Sequence, residues 1–344
     1  MSNLVSFDEI QQAANRLRGI ALRTPLVPLR TLRPPLLVKA ESLQPTGAFK
    51  LRGAYAAISA LSPERRSRGV VTHSSGNHGA AVAYAAALLN VPATVVVPKS
   101  APVVKVSAAR ASGATIVECE PNLASRTGTV RQLAEAHGYT EIPPYDHPDV
   151  IAGQGTVGLE IAADCPDVDL VVCPVAGGGL ISGVAAAIKT ANPKAKVIGV
   201  EPEWAADARD SLRAGHPVAW ESAQTARTIA DALRIEQVGD LPMEHMLALV
   251  DDIVTVSDDE MLAAMRQLAT GARLVAEPGG SVAVAACLFR SAELPKAAHP
   301  VAILSGGNVD PAMLVRALTT EALFEPSAKP SARPASESSI AAGD

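Results

Sequence analysis

Aromatic residues are scarce in this chain, at 3% of its 344 residues, so any core must be built from Ala, Val, Leu and Ile. Cysteine is also sparse. Cys119, Cys165, Cys173 and Cys287 form no C-x-x-C pair, and each lies in or beside an apolar segment. They read as reduced core thiols of a cytoplasmic protein rather than a disulfide framework. No block of basic residues occurs and the formal net charge is −5, which argues against nucleic acid as a partner. No apolar run reaches the ~20 residues of a membrane span, and Met1 to Val5 shows no basic-then-apolar signal pattern.

What the chain does have is alternation. Apolar strand-like runs at Leu36–Val38, Gly69–Thr72, Ala93–Val97 and Thr115–Glu118 alternate with helical patterns at Ala80–Leu89, Val103–Ala111 and Thr127–His137. A second series follows. Strands are expected at Leu170–Cys173, Val197–Val200 and Val301–Leu304, and helices at Gly155–Ala163, Leu180–Thr190, Asp258–Leu268 and Gly280–Phe289. Ser6-x-x-Glu9 reads as a capping box opening a further helix. Continuous apolar strands fit parallel pairing with both faces buried. Two groups of β-α units predict an α/β protein of two lobes, with ligands held in loops at the carboxyl ends of strands. The Pro-, Ser- and Ala-rich tail, 325–344, is expected to be disordered.

The stretch Glu41 to Lys50 organises the rest. A turn-prone run, Gln44 to Gly47, ends on Phe49 and Lys50, and the apolar pattern Leu51, Ala54, Tyr55, Ile58, Leu61 begins at once. A lysine in the first turn of such a helix loses hydration, so its amine becomes available to attack a carbonyl. An ordinary surface lysine at a helix start fits that stretch equally well. Three strand-to-helix turns carry further polar chemistry. Ser74-Ser75-Gly76-Asn77-His78-Gly79 offers hydroxyls, an amide and an imidazole at a helix start that favours a carboxylate, the alternative being a plain N-cap by Ser75 or Asn77. Gly177-Gly178-Gly179-Leu180 allows backbone to wrap a phosphate, or makes a tight structural turn. Ser305-Gly306-Gly307-Asn308 places a hydroxyl where it could hydrogen-bond a ring nitrogen or a carboxylate, or makes a capped turn.

A Schiff-base lysine, a phosphate cradle and a partner for a ring nitrogen suit one ligand, pyridoxal 5′-phosphate. Together with Ala152-Gly153-Gln154-Gly155-Thr156, these motifs resemble, in order, the fold-type-II pyridoxal-phosphate enzymes, in the threonine/serine dehydratase and serine racemase family. The resemblance runs from about Asp8 to Leu323. It implies a two-domain, tryptophan synthase β-like α/β fold of open, mostly parallel sheets covered by helices. A large domain would comprise 1–68 and 147–324, and a small one 69–146. It implies a homodimer or larger homo-oligomer acting on an amino acid.

The resemblance also implies roles. Lys50 holds the cofactor and later acts as base at Cα, with Phe49 flanking the ring. Asn77 contacts the ring hydroxyl, Gly177, Gly178, Gly179 and Leu180 hold the phosphate, and Ser305 meets the ring nitrogen. Ser74, Ser75, Asn77 and His78 take the substrate carboxylate. Ser75 is also the serine that, in racemases, reprotonates Cα from the opposite face. Arg126 matches an arginine near the substrate. Glu201, the Ala205 carbonyl and Asp207 match a divalent-metal site suited to Mg²⁺ or Ca²⁺, against the plainer reading of a solvated acidic loop. Two departures stand out. Leu233-Arg234-Ile235 follows Thr228–Asp231 where racemases carry a lysine and serines, and Glu277-Pro278-Gly279-Gly280 is closer to dehydratases.

The resulting expectation is an L-threonine/L-serine dehydratase releasing a 2-oxo acid and ammonia. A serine racemase, or a dehydratase of 3-hydroxyaspartate or phenylserine, is the near alternative. A non-catalytic protein that binds pyridoxal phosphate or an amino acid is the distant one.

Overall fold

The computed structural model describes residues 4–319 apart from 31, 33 and 102, so the tail 325–344 lies outside the described residues. Ten strands form two sheets: β1 Leu26–Leu29, β2 Leu36–Ala40, β3 Val70–His73, β4 Ala93–Pro98, β5 Thr115–Cys119, β6 Thr140–Glu141, β7 Leu170–Pro174, β8 Lys196–Pro202, β9 Asp252–Val256 and β10 Pro300–Leu304. The larger sheet runs β1-β2-β10-β7-β8-β9 and the smaller β5-β4-β3-β6. Every pairing is parallel except β1 with β2.

The apolar runs have their physical cause in the layering. Along β7, Leu170 and Val172 join one core with the helices Asp258–Gln267 and Pro278–Phe289. Val171 and Cys173 join the other, with Pro148–Asp164 and Gly179–Ala191. A strand covered on both faces has no place for alternating polar residues. All four cysteines are buried and unpaired. The capping box forms, with Ser6 and Glu9 closing the start of Phe7–Arg16. Among the described residues no helix is long and apolar enough to cross a membrane.

Most elements lie where periodicity places them, but several depart. The helix expected from Gly155 begins at Pro148. Glycines disguise its early turns, and close packing requires them. A Cβ on Gly153 would lie 2.6 Å from Arg52 O, and one on Gly158 would lie 2.9 Å from Val184 O. The strand β1 was hidden by Pro25 and Pro28, because proline is tolerated on an edge strand. The helices Asp240–Leu249 and Pro311–Thr319 and the strand β9 also lay beyond the sequence reading.

Candidate active site

Three neighbouring strands of the larger sheet, β2, β10 and β7, run parallel and in register, Val301 of β10 lying between Leu37 and Val171. Their carboxyl ends therefore open on one side, and each feeds one of the motifs. After β2 the chain turns back through Gly47, at φ +72°, and pairs with the loop after β10. Ala48 bridges Gly306, Phe49 N donates to Ser305 O at 3.0 Å, and Gly307 N to Gly47 O at 2.9 Å. Lys50 is thereby pinned beside Ser305, which is only 5% exposed.

Lys50 opens the helix Lys50–Ala60. Its Nζ sits 5.1 Å from the centre of the Phe49 ring and donates to Pro144 O at 2.6 Å. Burial lowers its pKa to about 8. The cause is the loss of water alone, which penalises the ammonium form. Two residues on, Arg52 is in the opposite situation. Its guanidinium grips Glu41 at 2.8 Å and Glu160 at 2.7 Å, and donates to Thr156 Oγ1 at 3.1 Å. Lys39 adds a bond to Glu160 at 2.6 Å. Two cations and two carboxylates thus balance inside the protein and fix the helix that carries Lys50. Lys39 within an otherwise apolar strand, followed by Glu41, was a legible sign of this cluster, and the sequence reading passed over it.

The smaller sheet supplies the serine loop. It follows β3 and leads into Asn77–Leu88. The cap position belongs to Gly76, with no side chain closing the helix start, so capping by Ser75 or Asn77 is not what these residues do. The open N–H groups there favour a carboxylate. Ser74 Oγ accepts from Gly76 N at 3.2 Å. His78 Nε2 lies 2.9 Å from Ile142 O. A carbonyl only accepts, so Nε2 carries the hydrogen and Nδ1 is bare. Nδ1 is buried without a protein partner. Burial first, then the charge of Lys50, pulls the His78 pKa down to about 3. His78 is a neutral imidazole at physiological pH.

After β7, Gly178 takes φ +89° and opens the helix Gly179–Ala191 with no side-chain cap. The helix start presents free N–H groups and a partial positive charge. Side chains are excluded here by contact. A Cβ on Gly177 would run into the Tyr145 ring, one on Gly178 would meet Pro242 at 2.7 Å, and one on Gly179 would meet Tyr145 at 2.9 Å. Pro144 and Tyr145, which hold Lys50 and flank the glycines, escaped the sequence reading because nothing local marks them. Arg126, on the helix Leu123–His137, has a buried Nε without a protein partner. Its charge contributes to lowering the pKa of His73, after burial.

Glu201 ends in β8 and Asp207 opens the helix Asp207–Ala214. Both are fully buried, so the segment is not a solvated acidic loop. Glu201 accepts from Ala208 N at 3.0 Å and Arg209 N at 2.7 Å. The Asp207 carboxylate has no side-chain partner, its nearest donors being the backbone N–H groups of Asp207 itself and Val238. No group of three or more His, Cys, Asp or Glu side chains poised for a metal occurs among the described residues.

A lysine without a counter-charge and an uncapped glycine turn thus stand at the carboxyl ends of β2 and β7, the two parallel strands that flank β10. The chain belongs to the pyridoxal-phosphate dependent enzyme family, which it matches over residues 17–306. Within that family it is 42% identical over 309 residues to the L-threo-3-hydroxyaspartate ammonia-lyase of Saccharomyces cerevisiae, covering 89% of this chain and 94% of the relative. It is 41% identical to the L-threonine ammonia-lyase of Thermotoga maritima over 91% of this chain and 78% of the relative. Maize serine racemase superposes with a TM-score of 0.87 at 37% identity, covering 91% of this chain and 97% of that one.

Proposed function

We propose that this protein is a pyridoxal-phosphate-dependent ammonia-lyase that converts L-threonine or L-serine to 2-oxobutanoate or pyruvate and ammonia. The observation that carries the reading is the Lys50 amine, buried without a counter-charge at the strand ends and lowered to about pH 8. The glycine cradle fits the cofactor phosphate, since its N–H groups are uncapped and no Cβ intrudes. Lys50, Gly177, Gly178, Gly179, Leu180, Ser305, Asn77 and Phe49 would hold the cofactor. When bound, it would supply an aldehyde for the amine and a ring that spreads charge away from the substrate Cα.

The chain's own residues divide the remaining work. The open helix start at Asn77, with Ser74 and Ser75, receives the substrate carboxylate. His78, being neutral, adds no charge there. Lys50 takes the proton from Cα, the β-hydroxyl leaves with a proton as water, and hydrolysis of the resulting unsaturated amine gives the 2-oxo acid and ammonia. Ser75 stands as the acid for the opposite face, which keeps racemisation as a side activity. Ser75→Ala should remove D-serine formation and spare most keto-acid formation, read by separating D-serine from pyruvate after incubation with L-serine. Equal loss of both would exclude that role.

A second substrate reading rests on Arg126. A guanidinium with an unpartnered, buried nitrogen suits a second carboxylate, as in 3-hydroxyaspartate. A turnover panel of L-threonine, L-serine and L-threo-3-hydroxyaspartate decides between them. Absence of both keto acid and D-serine would leave a binding protein.

Glu201, the Ala205 carbonyl and Asp207 are proposed to hold Mg²⁺ or Ca²⁺. Two buried carboxylates, one without a side-chain partner, fit a hard cation. Chelator should lower the melting temperature if they do. We also propose that 69–146 acts as a small domain beside 1–68 and 147–324, and that the protein works as a cytoplasmic homo-oligomer.

A further inference from the structure

The glycine turn Gly177-Gly178-Gly179 is gripped from two sides by segments far apart in the chain. On one side lies the run from Pro144 to His147, which leads from β6 to the helix Pro148–Asp164. On the other lies the start of the helix Asp240–Leu249. Tyr145 covers Gly177 and Gly179, and Pro242 covers Gly178, each too closely for a Cβ to fit. Gly239 N donates to Gly177 O at 3.2 Å, which fastens the helix start to the turn itself.

The two sides are joined by Asp146. Its Oδ2 accepts from Asp240 N at 3.1 Å and its Oδ1 from Leu241 N at 3.1 Å. The helix begins on Gly239, which has no side chain to close it. The cap is supplied instead from 94 positions away. Glycine is what admits it, because a Cβ on Gly239 would lie 2.9 Å from Asp146 Cβ. A carboxylate on two free N–H groups at a helix start gains both charge-assisted bonds and the helix dipole.

On electrostatic grounds alone, an acid is a poor neighbour for a phosphate cradle. Asp146 is exposed, so water screens its charge, and the helix start answers part of it. What remains is geometry. Tyr145 directly precedes Asp146, so the bonds of the carboxylate set where the ring stands over Gly177.

We propose that Asp146 is a positioning residue for the cofactor phosphate, closing the clamp of Tyr145 and Pro242 around the glycine turn and so fixing the backbone that offers its N–H groups. The inference rests on the functional reading above for the identity of the anion, and on the hydrogen bonds and contacts alone for the clamp.

The test compares two ligands in wild type, Asp146→Ala and Asp146→Asn. Each apo-protein is titrated with pyridoxal 5′-phosphate and, separately, with pyridoxal, which lacks the phosphate, both followed by absorbance. Asp146→Ala should raise the Kd of the phosphorylated ligand about tenfold, the scale of a hydrogen bond to a charged group. The Kd of pyridoxal should move by less than about twofold, whereas a merely structural loss would weaken both alike. Lys50, whose amine donates to Pro144 O, serves both ligands, so any disturbance of it cancels in the comparison. Asp146→Asn keeps the shape and one acceptor, and carries the test if Asp146→Ala fails to fold. It should weaken the phosphorylated ligand about threefold. Removing a negative charge would by itself strengthen phosphate binding, so the sign of this change separates clamp from charge. Equal penalties for the two ligands, or tighter binding of pyridoxal 5′-phosphate by Asp146→Asn, would overturn the clamp while leaving the functional reading intact. Failure of the wild type to bind pyridoxal 5′-phosphate would overturn both.

Discussion

Two cations stand two residues apart on one helix and meet opposite treatment. Arg52 is surrounded by Glu41, Glu160 and Thr156, and its pKa is raised by the carboxylates around it despite a strong opposing effect of burial. Lys50 has one carbonyl and an aromatic ring for company, and its pKa falls to about 8. Both are drawn out of water, Arg52 wholly and Lys50 in part, and what differs most is compensation. A compensated charge is inert and holds the helix in place. An uncompensated one gives up its proton easily and is chemically useful. The same contrast recurs among the helix starts. Phe7–Arg16 and Asp258–Gln267 are closed by capping boxes, whereas Asn77–Leu88 and Gly179–Ala191, which face the site, are left open.

The largest effect should come from removing the uncompensated member. Lys50→Ala is expected to lower turnover by at least about 10³-fold, since both the covalent hold and the base are lost. The same variant should take up no pyridoxyl label on borohydride treatment. The fold should survive, because no ion pair depends on this side chain. Retained elimination in the variant would mean that another group is the base.

Next comes the compensated member. Arg52→Met leaves Glu41 buried against a neutral side chain and should cost about 3–5 kcal/mol of stability. Urea unfolding of the purified protein reads this directly. Any activity lost should track the fraction unfolded. Arg52→Lys keeps the charge but cannot span Glu41 and Glu160 together, so it should cost less. If Arg52→Met were neutral, the balanced cluster would not be what fixes the Lys50 helix.

Much of this was legible in the chain. The layered strands announce themselves because burial on both faces leaves no polar residue in Val171, Val172 and Cys173. The motifs around Lys50, Asn77, Gly178 and Ser305 are short and local, each open to a plainer reading alone, and it was their order along the chain, resembling a known family, that picked them out. What escaped is long-range. Glu277 meets Asn77 across 200 positions and Arg52 meets Glu160 across 108, separations that no local pattern records. Pro144 and Tyr145 matter only because the fold lays them against Lys50 and Gly177. The Asp207 segment was ambiguous for a different reason, since a run of acids looks the same whether wet or buried until its helix is seen.

The smallest effect is the one that measures the contrast itself, in the apo-protein. Lys50 has a folded pKa of about 8, below the usual lysine value near 10.4 that it regains on unfolding. Below pH 8 both states hold the proton, and the folded protein bears the whole cost of an ammonium without a counter-charge. Between pH 8 and about 10.4 the unfolded chain binds more protons than the folded one, so the stability contributed by this group rises with pH. Apo Lys50→Met, which has nothing to titrate, should therefore be more stable than apo wild type at pH 7. The gap should narrow as pH rises through 8 and beyond. Urea unfolding of both apo-proteins at pH 7, 8.5 and 9.5 gives the slope. A gap that stays constant with pH would mean that the amine is compensated after all, and the distinction between Lys50 and Arg52 would vanish.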